Sequence, residues 1–452
     1  MKQSFIKKNY RWIILVACIL TYCTSTLVRW NYASISKYLS GDLGIGKPEL
    51  GLLGSAFFYA YSLAQVPMGI AADKFGGRRV IPLGTGLVGL FLIGFAFSST
   101  FTETLIWRAL MGFVSAAGYV PITSMLSKWF AKKERGLAVE TNHGLGGGLG
   151  EAFAFFLLPY LALIISSTEM FGKLASWRGS TILMGIMIAA IAVVIHFMFR
   201  SDPSELGLPS IEAAEDKKQD ADYQARAREI LKDPALWLLA LVWSGYIIAN
   251  RLIVGWFPIF AADYYMHFEG MTKEAAMVAG GAMSTIWVVG RTIGSPIIGK
   301  LSDHLLKKFA MPRSAALLTG LVLTTAIFFF FSTIVPSVTL LVGLAFFSGV
   351  ILNINGLVNA SAAEIWSIRT AGFSMGIINM VGQFIGAASL SLSGFMAVKF
   401  AIKGGPFYME YNGIWYLGII CCVLASLAAV YIFYREKKEV AERQHLTSES
   451  NS

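Results

Sequence analysis

The sequence predicts an all-α membrane protein whose twelve transmembrane helices form two pseudo-symmetric six-helix bundles. Three observations support this fold class. The 452 residues are 56% hydrophobic and only 14% charged, whereas a soluble domain carries about 25% charged residues. Apolar runs of about 20 residues, the length that crosses the hydrocarbon core of a bilayer, recur along the whole chain. The longest polar stretch, residues 201–235, separates six such runs from the next six.

Short charged or Gly/Pro-containing loops set the limits of the predicted spans. In chain order we expect transmembrane helices at 12–37, 50–72, 80–98, 104–126, 138–164, 180–200, 236–262, 276–299, 312–334, 338–362, 371–398 and 411–434. The first run lacks a small-residue cleavage site, so we interpret it as a retained helix rather than a signal peptide. The chain then divides into an N-terminal bundle (1–200), a cytoplasmic central loop (201–235), a C-terminal bundle (236–434) and a cytoplasmic tail (435–452).

The net charge of +10 is concentrated on one side of the predicted spans. Lysine and arginine cluster before the first span, between spans two and three, four and five, and eight and nine, and after the last span. By the positive-inside rule these segments and both termini are cytoplasmic. The pattern indicates a multi-pass plasma membrane protein that contacts the lipid bilayer and has no nucleic-acid partner. We expect the protein to be a monomer. All four cysteines lie inside apolar runs, so we expect no metal and no cofactor.

A short motif occurs at the equivalent place in each half. GIAADKFGGRR (Gly69–Arg79) follows span two and GKLSDHLLKK (Gly299–Lys308) follows span eight, and in both a glycine is followed four residues later by an aspartate and then by basic residues. Such a recurrence indicates an internal repeat. The aspartates are suited to cap a neighbouring helix N-terminus and to pair with loop arginines.

These motifs resemble those of a known family. GIAADKFGGRR looks like the loop signature of the major facilitator superfamily, and RALMG at Arg108–Gly112 is similar to its fourth-helix motif. The resemblance implies the major facilitator fold. It also implies that a set of loop and gate residues controls conformation: Asp73, Arg78, Arg79, Arg108 and Asp303.

Three further stretches resemble the organophosphate:phosphate antiporter family, which includes bacterial glycerol-3-phosphate and hexose-phosphate transporters. They are LVRWNYA around Arg29, KKERGLAVETNHGLGGG around His143, and SDPSELGLPSIE at the start of the central loop. In that family the first-helix arginine contacts substrate phosphate, which implies the same role for Arg29. Tyr22 and Tyr61 match cavity tyrosines of the family in spacing.

The physical cost of Arg29 supports this role. A charged side chain near the bilayer centre costs about 3 kcal/mol on insertion scales, so it faces a cavity or a partner. The first span contains no acid, and a planar guanidinium offers two parallel hydrogen bonds to a phosphate or carboxylate. We therefore expect an anionic substrate. The alternative is that Arg29 extends to the outer interface beside Trp30 and Tyr32.

The sequence departs from the antiporter pattern at two positions. When the count starts from the shared tryptophans, Trp237 and Trp256, the second phosphate-binding arginine of the antiporter family aligns with Asn250. Arg251 follows one residue later, which rotates its side chain by about 100°. Gln65 stands where the phosphate-transporting relatives tend to carry lysine. It resembles instead the anion:cation symporter family of sugar-acid and organic-anion transporters. We expect Asn250, Arg251 and Gln65 to contact substrate, with less positive charge than in the antiporters.

Further polar groups lie inside the predicted spans. His143 and Glu151 are eight residues apart in span five and fall on roughly one face. We expect His143 to sense pH or bind the anion. Glu151 is the candidate proton carrier, unless it pairs with an arginine of another helix. Another set lines a polar cavity or makes interhelical hydrogen bonds worth about 0.6 kcal/mol each: Tyr22, Tyr61, Tyr119, Tyr246, Asn353, Asn379 and Gln383.

The predicted function is secondary active transport of a small organic anion by alternating access, with phosphate or protons as the coupling species. Exchange of a phosphate ester for phosphate is favoured. One alternative is a proton-coupled symporter of carboxylates or sugar acids, and another is a membrane sensor of sugar phosphates that carries no flux. The chain has no HExxH zinc site, nucleophile elbow or intramembrane aspartate pair, so we predict that it is not an enzyme.

Overall fold

A computed structural model describes residues 2–168, 176–209, 228–309, 311–333, 337–352, 355–366, 371–401 and 406–450, and most of these residues are helical. Ten helices in this part of the chain are long and apolar enough to cross a membrane. The two other predicted spans, 50–72 and 338–362, fall on the helix Lys47–Phe75 and on the pair Val338–Ile351 and Asn355–Trp366. Helices therefore occupy every predicted span, and the all-α transmembrane fold class is confirmed.

The helices of the N-terminal half follow one another with short connections. They are α1 (Lys2–Ser34), α2 (Ser36–Leu43), α3 (Lys47–Phe75), α4 (Gly77–Ala96), α5 (Phe101–Ser115), α6 (Val120–Trp129), α7 (Lys132–Thr141), α8 (Gly147–Ala152), α9 (Leu158–Thr168) and α10 (Ser176–Met198). Two π-helical segments, Asn142–Gly146 and Phe153–Leu157, join α7, α8 and α9 into one continuous helix, called helix five below.

The helices of the C-terminal half are longer. They are α11 (Pro234–Phe268), α12 (Lys273–Phe309), α13 (Arg313–Thr333), α14 (Val338–Ile351), α15 (Asn355–Trp366), α16 (Ala371–Lys399) and α17 (Asn412–Ser450). A 3-10 helix, Phe407–Tyr411, leads into α17.

By packing, the chain divides into two compact units. Unit 1 contains Met1–Lys217 and Phe257–Thr285, and unit 2 contains Lys218–Trp256 and Ile286–Ser452. The adjoining ends of α11 and α12 thus belong to unit 1, whereas the rest of each helix belongs to unit 2. The six-plus-six division at the central loop stays our proposal for the organisation of the chain. Residues 210–227 of that loop lie outside the described residues.

Helix five packs closely on α1 within unit 1. A Cβ atom at Gly146 would lie 2.9 Å from the carbonyl oxygen of Ile19, and one at Gly150 would lie 2.3 Å from that of Cys23. Side chains do not fit at such distances, so glycine permits the two backbones to approach, as in other membrane helix pairs. This contact brings the middle of helix five alongside the turn of α1 that precedes Arg29.

The N-terminal end of α11 is fixed by Asp233 within unit 2. Its Oδ1 accepts hydrogen bonds from the backbone N–H of Ala235 at 2.9 Å and from Arg435 Nη1 at 2.6 Å, and its Oδ2 accepts one from Trp366 Nε1 at 2.8 Å. Pro234 follows as the first helical residue, where it is well tolerated. Partial burial alone would raise the pKa of Asp233, but the bonds from Arg435 and Trp366 outweigh it and hold this pKa below its ordinary value.

Candidate functional site

Arg29 faces an aromatic wall on α3. Its guanidinium carbon lies 5.1 Å from the centroid of the Tyr61 ring and 5.8 Å from that of Phe58. The Nε and Nη2 atoms are buried and make no hydrogen bond within the described part of the chain. A buried guanidinium whose donors lack acceptors is costly, because each loses its bond to water without a replacement. The polar side chains that interact with this guanidinium are those of Tyr22, Tyr61 and Glu151.

The alternative of an interfacial Arg29 does not fit this geometry. Trp30 and Tyr32, the expected interfacial anchors, are only 3% and 2% exposed. Trp30 packs edge-on against Phe58, with ring centroids 5.4 Å apart. An arginine that extended to a membrane surface would have such aromatic neighbours at the surface as well.

Tyr22 of α1, Tyr119, and His143 of helix five form an aromatic cluster. The ring of Tyr119 stacks on His143 with centroids 5.3 Å apart and planes 8° apart, and Tyr22 lies 5.0 Å from His143. Both His143 and Tyr22 interact electrostatically with Arg29. The structure thus brings the predicted residues Tyr22, Arg29, Tyr61 and His143 together in unit 1.

Glu151 joins the same cluster. Glu151 is 4% exposed and lies on α8, between the two π-helical segments. Its side chain interacts electrostatically with Arg29. π-helical turns are frequent at functional sites. Glu151 thus lies close enough to Arg29 to interact with its charge, and its expected roles as a proton carrier or as the partner of an arginine stay predictions.

Arg108 supports the cluster from α5. It is fully buried, and its Nη1 donates to the carbonyl of Val28 at 2.7 Å and to Asn31 Oδ1 at 2.9 Å, while its Nη2 donates to the carbonyl of Arg29 at 3.0 Å. Its Nε donates to the carbonyl of Leu53 on α3 at 3.1 Å. One arginine thus fixes the backbone of α1 at the position of Arg29. The role of Asn31 in this contact was not evident from the sequence.

The second predicted arginine, Arg251, lies in unit 2. It is 3% exposed, and its Nη1 and Nη2 donate to the backbone oxygen and to Oε1 of Gln383 on α16, at 3.1 and 2.5 Å. Asn250 is half-buried beside it. Tyr246, one turn earlier, donates to the carbonyl of Leu317 at 2.5 Å and thereby joins α11 to α13, so its hydroxyl has an interhelical role.

The remaining predicted residues lie elsewhere. Gln65 is half-buried on α3, one turn after Tyr61. Arg78 pairs with Glu205 (Nη1–Oε2 3.2 Å), which the 3-10 helix Pro203–Leu206 presents to the loop, and not with Asp73 as expected. Both Asp73 and Arg79 are exposed. The side chain of Asp303 and the whole of Asn353 lie outside the described residues.

The arrangement of apolar spans, repeated loop motifs and buried arginines agrees with a known family. Residues 18–389 match the Major Facilitator Superfamily. The chain belongs to the Major Facilitator Superfamily. Since this match covers most of the sequence, the predicted major facilitator fold is confirmed.

Several transport proteins of this superfamily are similar to this protein over most of its length. A probable hexose phosphate transport protein of Chlamydia pneumoniae is 25% identical over 71% of each chain. A glycerol-3-phosphate transporter of Haemophilus influenzae is 25% identical over 96% of this chain and 94% of its own. These relatives confirm the resemblance to the organophosphate:phosphate antiporters. Both are named as transport proteins, in agreement with a transporter rather than an enzyme.

The fold of this superfamily member is also found among solved structures. A bacterial homologue of the human lysosomal transporter Spinster, in an inward-facing and unoccupied conformation, superimposes with a TM-score of 0.75. It is 17% identical and covers 96% of this chain and 98% of its own. At this identity the comparison concerns the fold alone.

Proposed function

We propose that this protein is a secondary active transporter of a small organic anion, and that exchange of a phosphate ester for inorganic phosphate is its main reaction. The observation that carries the proposal is the pair of buried donors on Arg29, Nε and Nη2, which have no acceptor within the described chain. These two nitrogens lie on one edge of the guanidinium plane, where a phosphate accepts two parallel hydrogen bonds. The named substrates of its two relatives are phosphate esters.

The neighbouring groups fit recognition of an anion. Tyr22 and His143 supply donors beside Arg29, and the Tyr61 ring holds the guanidinium in place by a cation–π contact. Arg251 provides a second permanent positive charge in the other unit. We propose that alternating access exposes Arg29 and its neighbours in unit 1 to each side of the membrane in turn.

The proposed coupling follows from the balance of charge at Arg29. In an exchanger, an anion neutralises Arg29 before each reorientation, because an unneutralised charge is costly inside the membrane. Glu151 and the neutral Gln65 favour a second candidate, proton-coupled symport of a carboxylate. In that case an anion displaces Glu151 from Arg29, and the released carboxylate takes up a proton.

The proposed location in the membrane follows from the distribution of basic residues. We propose that the protein is a monomer in the inner membrane of a bacterium, with both termini in the cytoplasm. The basic residues in the first turns of α1 and near residue 437 support this orientation.

The test is exchange of labelled phosphate in proteoliposomes preloaded with phosphate, with phosphate esters and carboxylates as competitors, with and without a pH gradient. We expect exchange that needs no gradient and is inhibited by phosphate esters. Arg29→Lys retains the charge but loses the two-pronged contact, so kcat/KM should fall about 10- to 100-fold. The matched control is Arg178→Lys, because Arg178 donates to the carbonyls of Ala96 and Ser98.

Other outcomes would point elsewhere. Uptake of a labelled carboxylate that depends on the pH gradient, with no phosphate exchange, would support the symporter. Saturable binding of a sugar phosphate without any flux would support the sensor. Full exchange by the Arg29→Lys variant would refute the assigned role of Arg29.

A further inference from the structure

The short helix α2 is a separate element beyond the end of α1. Helix α1 ends at Ser34, and Ile35 has non-helical backbone angles (φ −113°, ψ 12°) that separate it from α2. The C-terminal end of α2 is fixed to α10, because Trp177 Nε1 donates to Asp42 Oδ2 at 2.6 Å. Helix α2 therefore has its own attachment within the N-terminal half of the chain.

The first turn of α2 contacts both helices of the α11–α12 hairpin. The part of this hairpin that packs in unit 1, Phe257–Thr285, is called the hairpin tip below. Lys37 pairs with Asp263 of α11, with Nζ and Oδ1 2.5 Å apart. Lys273 Nζ, in the first turn of α12, lies 4.8 Å from the centroid of the Tyr38 ring. Two adjacent residues of α2 thus hold the end of one helix and the start of the next.

A glycine contact holds the same tip on helix five. A Cβ atom at Gly281 of α12 would overlap the carbonyl oxygen of Phe155, so glycine is needed for the two backbones to approach. Phe155 lies in the second π-helical segment of helix five. The preceding Gly280 packs within the hairpin, because its Cβ would lie 2.9 Å from the carbonyl oxygen of Pro258. The tip is therefore a tightly packed hairpin that contacts both α2 and helix five.

These contacts lie beyond Arg29 and Glu151 in the same direction. Lys37 follows Arg29 by eight residues, about 12 Å of helix, and Phe155 follows Glu151 by four, about 6 Å. Helix five runs parallel to α1, since its glycine contacts advance along both helices together. Both steps lead away from the N-terminal end of α1. The tip thus contacts both helices on the side of the membrane opposite the proposed cytoplasmic termini, called the far side below.

We propose that the hairpin tip is a latch that closes the far side, and that its release from α2 and helix five opens Arg29 to that side. This inference rests on the proposed function. The ion pair between Lys37 and Asp263 stabilises only the latched state, because its two side chains separate when the tip is released. The pair therefore sets the fraction of molecules that are open to the far side. That fraction scales the apparent affinity for an anion that arrives there.

A purely structural role for these contacts makes a different prediction. If they only stabilised the fold, their loss would weaken phosphate binding on both sides of the membrane or on neither. If they form a latch, their loss increases the population that is open to the far side, and affinity on that side rises. The two roles thus differ in the sign of the effect on one side.

The experiment measures the phosphate concentration that half-saturates exchange in right-side-out and in inside-out membrane vesicles. For Lys37→Gln and for Gly281→Ala we expect a fall of about 3- to 10-fold on the far side and a change of less than about 2-fold on the other side. Arg11→Gln is the control for the ion pair, because it removes a contact of similar length, 2.6 Å to Glu134, that does not involve the tip. Gly343→Ala is the control for the glycine, since its Cβ would meet no atom within 4 Å. Neither control should alter the ratio between the two sides.

A covalent bridge tests the latch without weakening it. In a protein that combines Lys37→Cys with Asp263→Cys, a short reagent with two thiol-reactive ends joins the two positions through reducible bonds. We expect exchange to fall at least about 10-fold after bridging and to recover when the bridge is reduced, because the tip must leave α2 in each cycle. The two single variants, treated with the same reagent, are the controls and should keep their exchange rates.

Three results would overturn the inference. Full exchange by the bridged protein would refute the latch and leave the proposed function standing. An unchanged ratio between the two sides in both Lys37→Gln and Gly281→Ala would do the same. A wild-type protein that neither binds nor exchanges phosphate would refute the proposed function and this inference together.

Discussion

The ion pair between Lys37 and Asp263 offers the sharpest test of the energetics of unit 1. Lys37 Nζ lies 2.5 Å from Asp263 Oδ1, and the two side chains are 24% and 11% exposed. The pair joins α2 to the end of α11 that belongs to unit 1. At an effective dielectric constant of about 20 the attraction at this distance is about 7 kcal/mol before desolvation is subtracted.

The expected net effects are smaller and unequal. Lys37→Ala removes one ion partner from the more buried carboxylate, so we expect a loss of about 2–3 kcal/mol in the free energy of unfolding, below the 3–5 kcal/mol typical of a fully buried pair. Asp263→Asn leaves the more exposed ammonium, which water can reach, and we expect a loss of about 1–2 kcal/mol. The double variant should lose less than the sum of the two, with a coupling energy of about 1–2 kcal/mol.

The assay is denaturant unfolding of purified protein, followed by tryptophan fluorescence, for the wild type, both single variants and the double variant. A matched control is the pair between Arg11 and Glu134, which has a similar separation of 2.6 Å but side chains 34% and 47% exposed. Its coupling energy should stay below about 1 kcal/mol. Equal coupling energies for the two pairs would show that burial does not set the strength of the Lys37–Asp263 pair, and would refute this reasoning.

Three further predictions concern other contacts. Arg108→Lys should raise KM for the transported anion about 10-fold, since one ammonium cannot hold three carbonyls and an amide oxygen. Arg178→Lys, the control, should change KM little. Equal transport by the two variants would contradict this prediction. Asp233→Asn should lower the free energy of unfolding at pH 7, because the lowered pKa of Asp233 adds stability above its ordinary range. In urea unfolding, the difference between variant and wild type should shrink as the pH falls below about 4. A difference independent of pH would exclude this cause. Gly150→Ala should lower the unfolding temperature, since its Cβ would lie 2.3 Å from a backbone oxygen, but Gly144→Ala, which meets no atom within 4 Å, should not.

The fold was predictable because the bilayer imposes a length and a composition on each span. Hydropathy alone places a helix at every predicted span, although α3, with Gln65 and several glycines and tyrosines, is less apolar than the ten clearest spans. The loop motifs then identified the superfamily. The grouping of Tyr22, Arg29 and His143 was also predicted, since each lies in a stretch that resembles one family.

The rest depends on contacts between helices that are distant in sequence. Neither Arg108–Asn31 nor Arg251–Gln383 follows from periodicity, because which faces meet is decided by close packing at glycines. A signal for Gln383 did exist in the two glycines that flank it, Gly382 and Gly386. The pairing of Arg78 with Glu205 instead of Asp73 could not be predicted, since it depends on the path of the chain after α10.

The two π-helical segments of helix five affect more than its backbone hydrogen bonds. In a regular helix the eight positions from His143 to Glu151 turn through about 800°, which leaves the two side chains about 80° apart. The π-helical turn at Asn142–Gly146 absorbs one extra residue, so the effective advance is close to seven positions, or about 700°. The two side chains then point within about 20° of each other. A chemical-accessibility scan along helix five should accordingly lose its 3.6-residue period near Gly146 and again near Leu157. A deletion of one residue between His143 and Glu151 that restores a regular helix would leave seven positions, or about 700°, and would therefore keep the two side chains on the same side.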